Sequence, residues 1–142
     1  MRLYLKVIPG VFSIHRLAPD AAVPEAILAS GFFSVTRTDE ELSILCREDL
    51  PVDSPRREGG WACIKVAGPL DFSLTGIMAR LAGLLAGAGI SLFAVSTFDT
   101  DYLLVRGDQL ALAVEALESG GCRFPSTNGE TPCTKPSGSS AG

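Results

Sequence analysis

The stretch Gly68-Pro-Leu-Asp-Phe-Ser-Leu-Thr-Gly76, continued from Gly89 to Val105 as GISLFAVSTFDTDYLLV, decides how this chain folds. Its first part sets two glycines around residues suited to a helix cap, so it reads as a turn from strand into helix. Between the two parts, Leu74, Ile77, Met78, Leu81 and Leu85 recur at helical spacing. They predict a helix over 73–88 with one buried stripe. Asp71 or Ser73 is expected to cap its start, and Gly89 to end it in a left-handed conformation. The second part is an apolar strand, the polar knot Ser96-Thr-Phe-Asp-Thr-Asp101, and another apolar strand, which together read as a hairpin.

Outward from there, Asp108 is expected to cap a last helix running to Ser119, with Leu110, Val114 and Leu117 inward. Upstream, Trp61–Val66 and Leu3–Ile8 read as strands, and Phe12–Leu17 as a further one. The part from 59 to 124 therefore runs β-α-β-β-α, with little after Cys122 and Arg123 to supply a last strand. That is the ferredoxin-like order, in which two helices cover one face of an antiparallel sheet.

The two halves repeat. Gly31–Asp39 aligns with Ser91–Asp99, setting Phe33 on Phe93, Val35 on Val95 and Asp39 on Asp99. Leu42–Leu45 then falls on Tyr102–Val105, and Leu5–Val7 on Ile64–Val66. Such self-similarity predicts an α+β chain of two tandem ferredoxin-like (βαββαβ) units, residues 1–58 and 59–124. The first unit is expected to be degenerate. Pro19, Asp20 and Pro24 interrupt its long helix, leaving a turn or two near Pro24–Ser30, and no second helix is visible between Cys46 and Gly60. Asp49–Gly60 reads as a loop dividing the halves, and residues 125–142, rich in Pro, Ser, Thr and Gly, as a disordered tail.

Composition narrows the function. The chain has 142 residues, 46% hydrophobic and 20% charged, enough to bury a core. A net charge of -4 argues against a nucleic-acid partner, which would require a basic face. No stretch is long and uncharged enough to span a membrane, and the start lacks a secretory pattern, so a reduced cytoplasmic protein is expected. Cys46, Cys63, Cys122 and Cys133 are scattered without metal-ligand spacing, and His15 is the single histidine. No metal and no cofactor are expected. There is no phosphate-loop motif and no nucleophile beside a base, so the chain reads as no enzyme.

Two segments suit a small polar ligand. A helix start leaves backbone N–H groups unpaired and carries partial positive charge, so the Asp71–Leu74 segment can receive a carboxylate, or its side chains can simply cap the helix. The knot Ser96–Asp101 holds more polar residues than a turn requires. Asp99 and Asp101, two apart in an extended segment, would point to one side and could hold an ammonium group, or the knot is a solvated turn with local side-chain bonds.

These segments resemble the ACT family of amino-acid-binding regulatory domains, and more closely small bacterial tandem-ACT proteins related to the arginine sensors of animal cells. The resemblance implies a ligand lying between ACT units, against the turn before the helix and the strand-end motif. By that resemblance Thr97, Phe98 and Asp101 stand on matching positions of a Ser-Thr-Phe-x-x-Asp motif, and Asp71, Phe72, Ser73 and Leu74 match the segment that reaches the ligand. Thr100 replaces an aromatic residue, and Leu74 stands where the sensors carry an acidic one. Ser96 and Asp99 complete the expected ligand-binding set.

The function expected is a non-catalytic regulatory sensor binding an amino acid or similar small ligand between its two units. The alternative is a structural interaction module that mediates oligomerisation or partner-enzyme assembly without a small ligand, since sheets of this kind present open edges. A homo-oligomer, a homodimer above all, or a partner enzyme are the macromolecular partners expected; nucleic acid and membrane are not. Trp61 reads as core or interface, Arg56 and Arg57 as loop surface, Cys46 and Cys63 as small buried hydrophobes.

Overall fold

The computed structural model describes residues 3–67 and 76–125. Strands β1 (Leu5–Leu17), β2 (Ser34–Arg37), β3 (Leu42–Arg47), β4 (Arg56–Val66), β5 (Phe93–Ser96) and β6 (Asp101–Arg106) form one sheet of order β2-β3-β1-β4-β6-β5. Every neighbouring pair is antiparallel. The helices are α1 (Glu25–Leu28), α2 (Ile77–Gly87) and α3 (Leu110–Ser119).

The α+β, ferredoxin-like reading holds, and the two units share one continuous sheet. Two long central strands explain how. The start of β1 pairs with the end of β4, Leu5 opposite Val66 and Ile8 opposite Cys63. After a register shift, Phe12–Leu17 lies between β3 and the start of β4, Arg16 opposite both Ser43 and Arg56. Gly10 and Gly60 sit at these irregularities with φ of 114° and 78°, a conformation that a Cβ disfavours. The fourth-strand position of the second unit, vacant in the sequence after Cys122, is thus filled from the front of the chain. Arg123 adds only an isolated parallel bridge to Tyr4.

Strand alternation sorts the core into two faces. Ala62, Ile64 and Val66 of β4 join Leu3, Leu5, Ile77, Leu81, Leu85, Ala113 and Leu117 beneath α2 and α3. On the same face, Leu17, Leu42, Ile44 and Cys46 pack with Ile27 of α1. On the opposite face Phe12, Leu45, Trp61, Cys63 and Leu104 form a third cluster. Burial alone pushes the Cys63 thiol up to about 12, so it stays protonated and packs as a small hydrophobe.

Several local expectations are corrected. Phe12–Leu17 is not a separate strand but the second part of β1. The dividing loop ends before Arg56, because β4 begins there; only residues 48–55 lie between β3 and β4. The described part of the expected helix over 73–88 begins at Ile77, preceded by Gly76 at φ 76° with no side-chain cap; Asp71 and Ser73 lie outside the described residues. Gly89 does end the helix at positive φ. Asp108 caps nothing, since it lies in a 3-10 turn ahead of α3, whose fully buried residues are Ala113 and Leu117. The expected tail, beyond Pro125, also lies outside the described residues.

The first unit keeps one turn of its long helix and lacks the second. Leu50 and Val52, on the chain between β3 and β4, pack into the α1 cluster instead. The polar pin of this cover is His15, 1% exposed. Its Nε2 bonds Ser13 Oγ at 2.8 Å and its Nδ1 bonds Ser54 Oγ at 2.7 Å. Burial, and then the nearby Arg57 guanidinium, hold its pKa below the ordinary value. An unfolded chain therefore binds a proton near pH 6.5 that the folded chain resists. Stability contributed by His15 is complete above that pH and is lost as pH falls through the lower folded value. Thermal melts should show the wild type losing more stability than His15→Gln between about pH 7.5 and 5. Parallel slopes for the two proteins would refute this.

Candidate functional site

The polar knot is the tip of the β5–β6 hairpin. Ser96 pairs with Asp101 at its base. Thr97 N–H donates to the Thr100 carbonyl at 2.8 Å, Thr97 Oγ1 donates to the same carbonyl at 3.0 Å, and Thr100 N–H donates back to Thr97 Oγ1 at 3.2 Å. A threonine hydroxyl bonding backbone two or three residues ahead is a standard way to fix a tight turn. Ser96 Oγ donates to Asp101 Oδ1 at 2.6 Å, which orients that carboxylate.

Thr100 does something different. It is 3% exposed, and its Oγ1 donates to the Val66 carbonyl at 2.6 Å. On the other side of β4, Ala67 N–H donates to the Tyr4 carbonyl at 2.7 Å. The end of β4 is therefore pinned from both neighbours just before residue 68. The hairpin tip and the end of β4 are thus tied together.

Of the residues singled out in the sequence, Ser96, Thr97, Phe98, Asp99, Thr100 and Asp101 share this one hairpin. Asp71, Phe72, Ser73 and Leu74 lie outside the described residues. Asp99 sits in the turn rather than in an extended segment with Asp101, so strand alternation does not align the two carboxylates. Phe98 is 82% exposed.

The β2–β3 hairpin of the first unit repeats the turn. Thr38 N–H donates to the Glu41 carbonyl at 2.9 Å, and Thr38 Oγ1 accepts from Glu40 and Glu41 N–H groups at 3.1 Å. Arg37 pairs with Leu42 as Ser96 pairs with Asp101. The hairpins therefore correspond with Thr38 on Thr97, one residue away from the alignment that set Val35 on Val95. The Arg37-Thr38 and Ser96-Thr97 dipeptides were the available signal. Sequence reasoning also missed Phe32, whose ring lies 4.5 Å from Tyr102 and 5.8 Å from Phe12. A first-unit aromatic thereby touches the residue beside Asp101.

Among the described residues no group of three or more His, Cys, Asp or Glu could hold a metal ion. No helix among them is long and apolar enough to cross a membrane.

The ACT-domain sequence profile matches residues 56–119, and a second profile, an N-terminal domain, matches residues 10–52. A solved structure from Agobacterium tumefaciens is 42% identical, covering 87% of this chain and 92% of that one, with a TM-score of 0.80. The chain carries an ACT domain over residues 56–119. A curated relative of this ACT protein is the "Cytosolic arginine sensor for mTORC1 subunit 1" of Pongo abelii, 33% identical over 123 residues. That match covers 79% of the chain but 37% of the relative, so the chain spans about a third of that protein's length. The regulatory subunit of aspartate kinase from Thermus flavus shares the fold, with a TM-score of 0.60, 11% identity, and coverage of 82% of this chain and 95% of that one.

Proposed function

We propose that this ACT protein is a non-catalytic regulatory sensor that binds a small amino acid between its two units. The observation that carries the reading is the Thr100–Val66 hydrogen bond, which ties the polar hairpin tip to the strand end that precedes the 68–76 segment. A carboxylate would be taken by backbone N–H groups in the Asp71–Leu74 segment, by the general affinity of helix starts for anions. Ser96, Thr97, Asp99 and Asp101 would hold the ammonium or side chain, with Phe98 shielding it. Thr100 positions the tip. Relatives named as arginine sensors support an amino-acid ligand, and Phe32 against Tyr102 offers a first-unit wall. Ligand occupancy then acts only through its differential affinity for two states of the assembly.

Isothermal titration against the twenty amino acids is the test. Saturable heat for at least one, lost in Asp101→Ala, is the expected result. No heat and no melting shift for any of them would remove the reading.

The interaction-module reading rests on a separate observation. Val7 and Val11 of β1, with Tyr4 just ahead of it, are large, exposed hydrophobic residues. Beside them, the Lys6–Ile8 stretch pairs with β4 alone. A solution mass that shows ligand-independent dimers, together with a silent titration, favours the module.

A further inference from the structure

We propose that the first ACT unit carries a site for a small oxyanion, a carboxylate or phosphate group, held by Arg16 and Arg56 on the helix-free face of the sheet. It does not rest on the hairpin reading.

Arg16 and Arg56 are direct cross-strand partners in the β1–β4 pairing. Like charges set directly opposite each other destabilise a sheet, so such a pair calls for compensation. Among the described residues the ion pairs are Arg47–Asp49 and Arg106–Glu58, and neither Arg16 nor Arg56 takes part in one. Arg16 Nη2 donates to the Glu40 carbonyl at 3.1 Å, a neutral acceptor that leaves the charge standing. On its other side Arg16 faces Ser43 of β3. A row of three donors, Ser43, Arg16 and Arg56, therefore crosses three strands on one face.

That row lines a cavity of about 270 Å³, room for a phosphate or a short dicarboxylate. Arg57, which faces His15 on the other side of the sheet, donates to the Glu48 carbonyl at 3.3 Å and adds no guanidinium to the row. Of the two carboxylates lining the cavity, Glu58 is already paired with Arg106, which leaves Glu41 against the two arginines of the row.

The second unit supplies the comparison. There Lys6 and Lys65 are likewise direct partners, and Tyr102 stands opposite Lys65 where Ser43 stands opposite Arg16. The Lys65 ammonium lies 5.9 Å from the Tyr102 ring centroid, so an aromatic face relieves that pair. In the first unit a serine takes the tyrosine's place, and among the described residues no aromatic ring lies over Arg16 or Arg56. Planar guanidinium groups bind oxyanions in paired hydrogen bonds, which is the compensation this row is built to accept.

The test is an amide NMR titration with inorganic phosphate and, separately, with succinate, ionic strength being held with chloride. Saturable shifts at Arg16, Ser43 and Arg56 are expected, unaltered in Asp101→Ala. A response to phosphate alone identifies a phosphate ligand, to succinate alone a carboxylate ligand, and a response to either supports the site. Arg56→Gln should weaken binding about tenfold and should not lower the melting temperature in anion-free buffer, because it removes a repulsion. Arg16→Gln repeats the test should Arg56→Gln misfold. Absence of saturable shifts with both anions, or undiminished affinity in the folded variant, overturns the proposal.

Discussion

Replacing Leu5 by alanine lowers the unfolding free energy by about 2–5 kcal/mol, and amide exchange quickens first in α2 and α3. Leu5 is fully buried. It lies near the front of the chain, yet it packs with Ile64, Leu81, Leu85, Leu103 and Leu117, all from the second half. Truncation would leave a cavity beneath two helices that are far away in sequence. The sequence divides the chain at residues 58 and 59, and this variant tests our proposal that folding does not follow that division because β1 is integral to the second unit. If the 59–124 part is self-sufficient, Leu5→Ala leaves exchange in α2 and α3 unchanged and disturbs only the first half. If the borrowed strand is integral, the loss appears in α2 and α3 and exceeds that of an exposed control such as Val7→Ala.

Thr100→Val is the second large effect, at about 1–3 kcal/mol of stability, because it removes the partner of a buried carbonyl while keeping the side-chain volume. The lost bond is Thr100 Oγ1 to the Val66 oxygen, at a residue 3% exposed. Under the proposed function the consequence is larger than the stability term alone. The hairpin tip would no longer be tied to the strand end that precedes the 68–76 segment, so a ligand contacting both segments would lose affinity. Thr100→Ser, which retains the hydroxyl, should preserve both stability and binding. Equal heats of titration for wild type and Thr100→Val would detach the hairpin from the ligand. Melting at the wild-type temperature would show that the bond contributes nothing.

Much of the second unit was legible because its signals are local. The stripe of Ile77, Leu81 and Leu85 is buried as periodicity requires, and Gly89 ends the helix at positive φ. The hairpin around Ser96–Asp101 was legible from two apolar runs and a polar turn. The start of β4 was harder. Arg56–Gly60 has the charge and glycine of a loop and becomes strand only because β1 supplies hydrogen-bonding partners along it. Propensity yields there to pairing, as it commonly does in sheets. Asp108 failed as a cap for a related reason. A residue suited to capping acts as one only where the backbone starts its helix, and the 3-10 turn moved that start to Leu110.

The candidate site divides in the same way. The six hairpin residues could be named because they are consecutive. Phe32 beside Tyr102, and Arg16 beside Arg56, could not, since each pair joins segments whose separation along the chain carries no periodic signal.

By itself the sequence determined most of the element types, the tandem repeat with a reduced first copy, and the polar tip of the second hairpin. These follow from side-chain spacing along a few residues, which local backbone geometry converts directly into helix, strand or turn. Only the tertiary structure decided that the front of the chain completes the sheet of its back half, that Thr100 ties the tip to β4, and that two arginines stand opposed. Each of these is a cross-strand relation. Strand pairing is set by which apolar faces can be buried together, and that balance is struck across the whole chain rather than within any window of it.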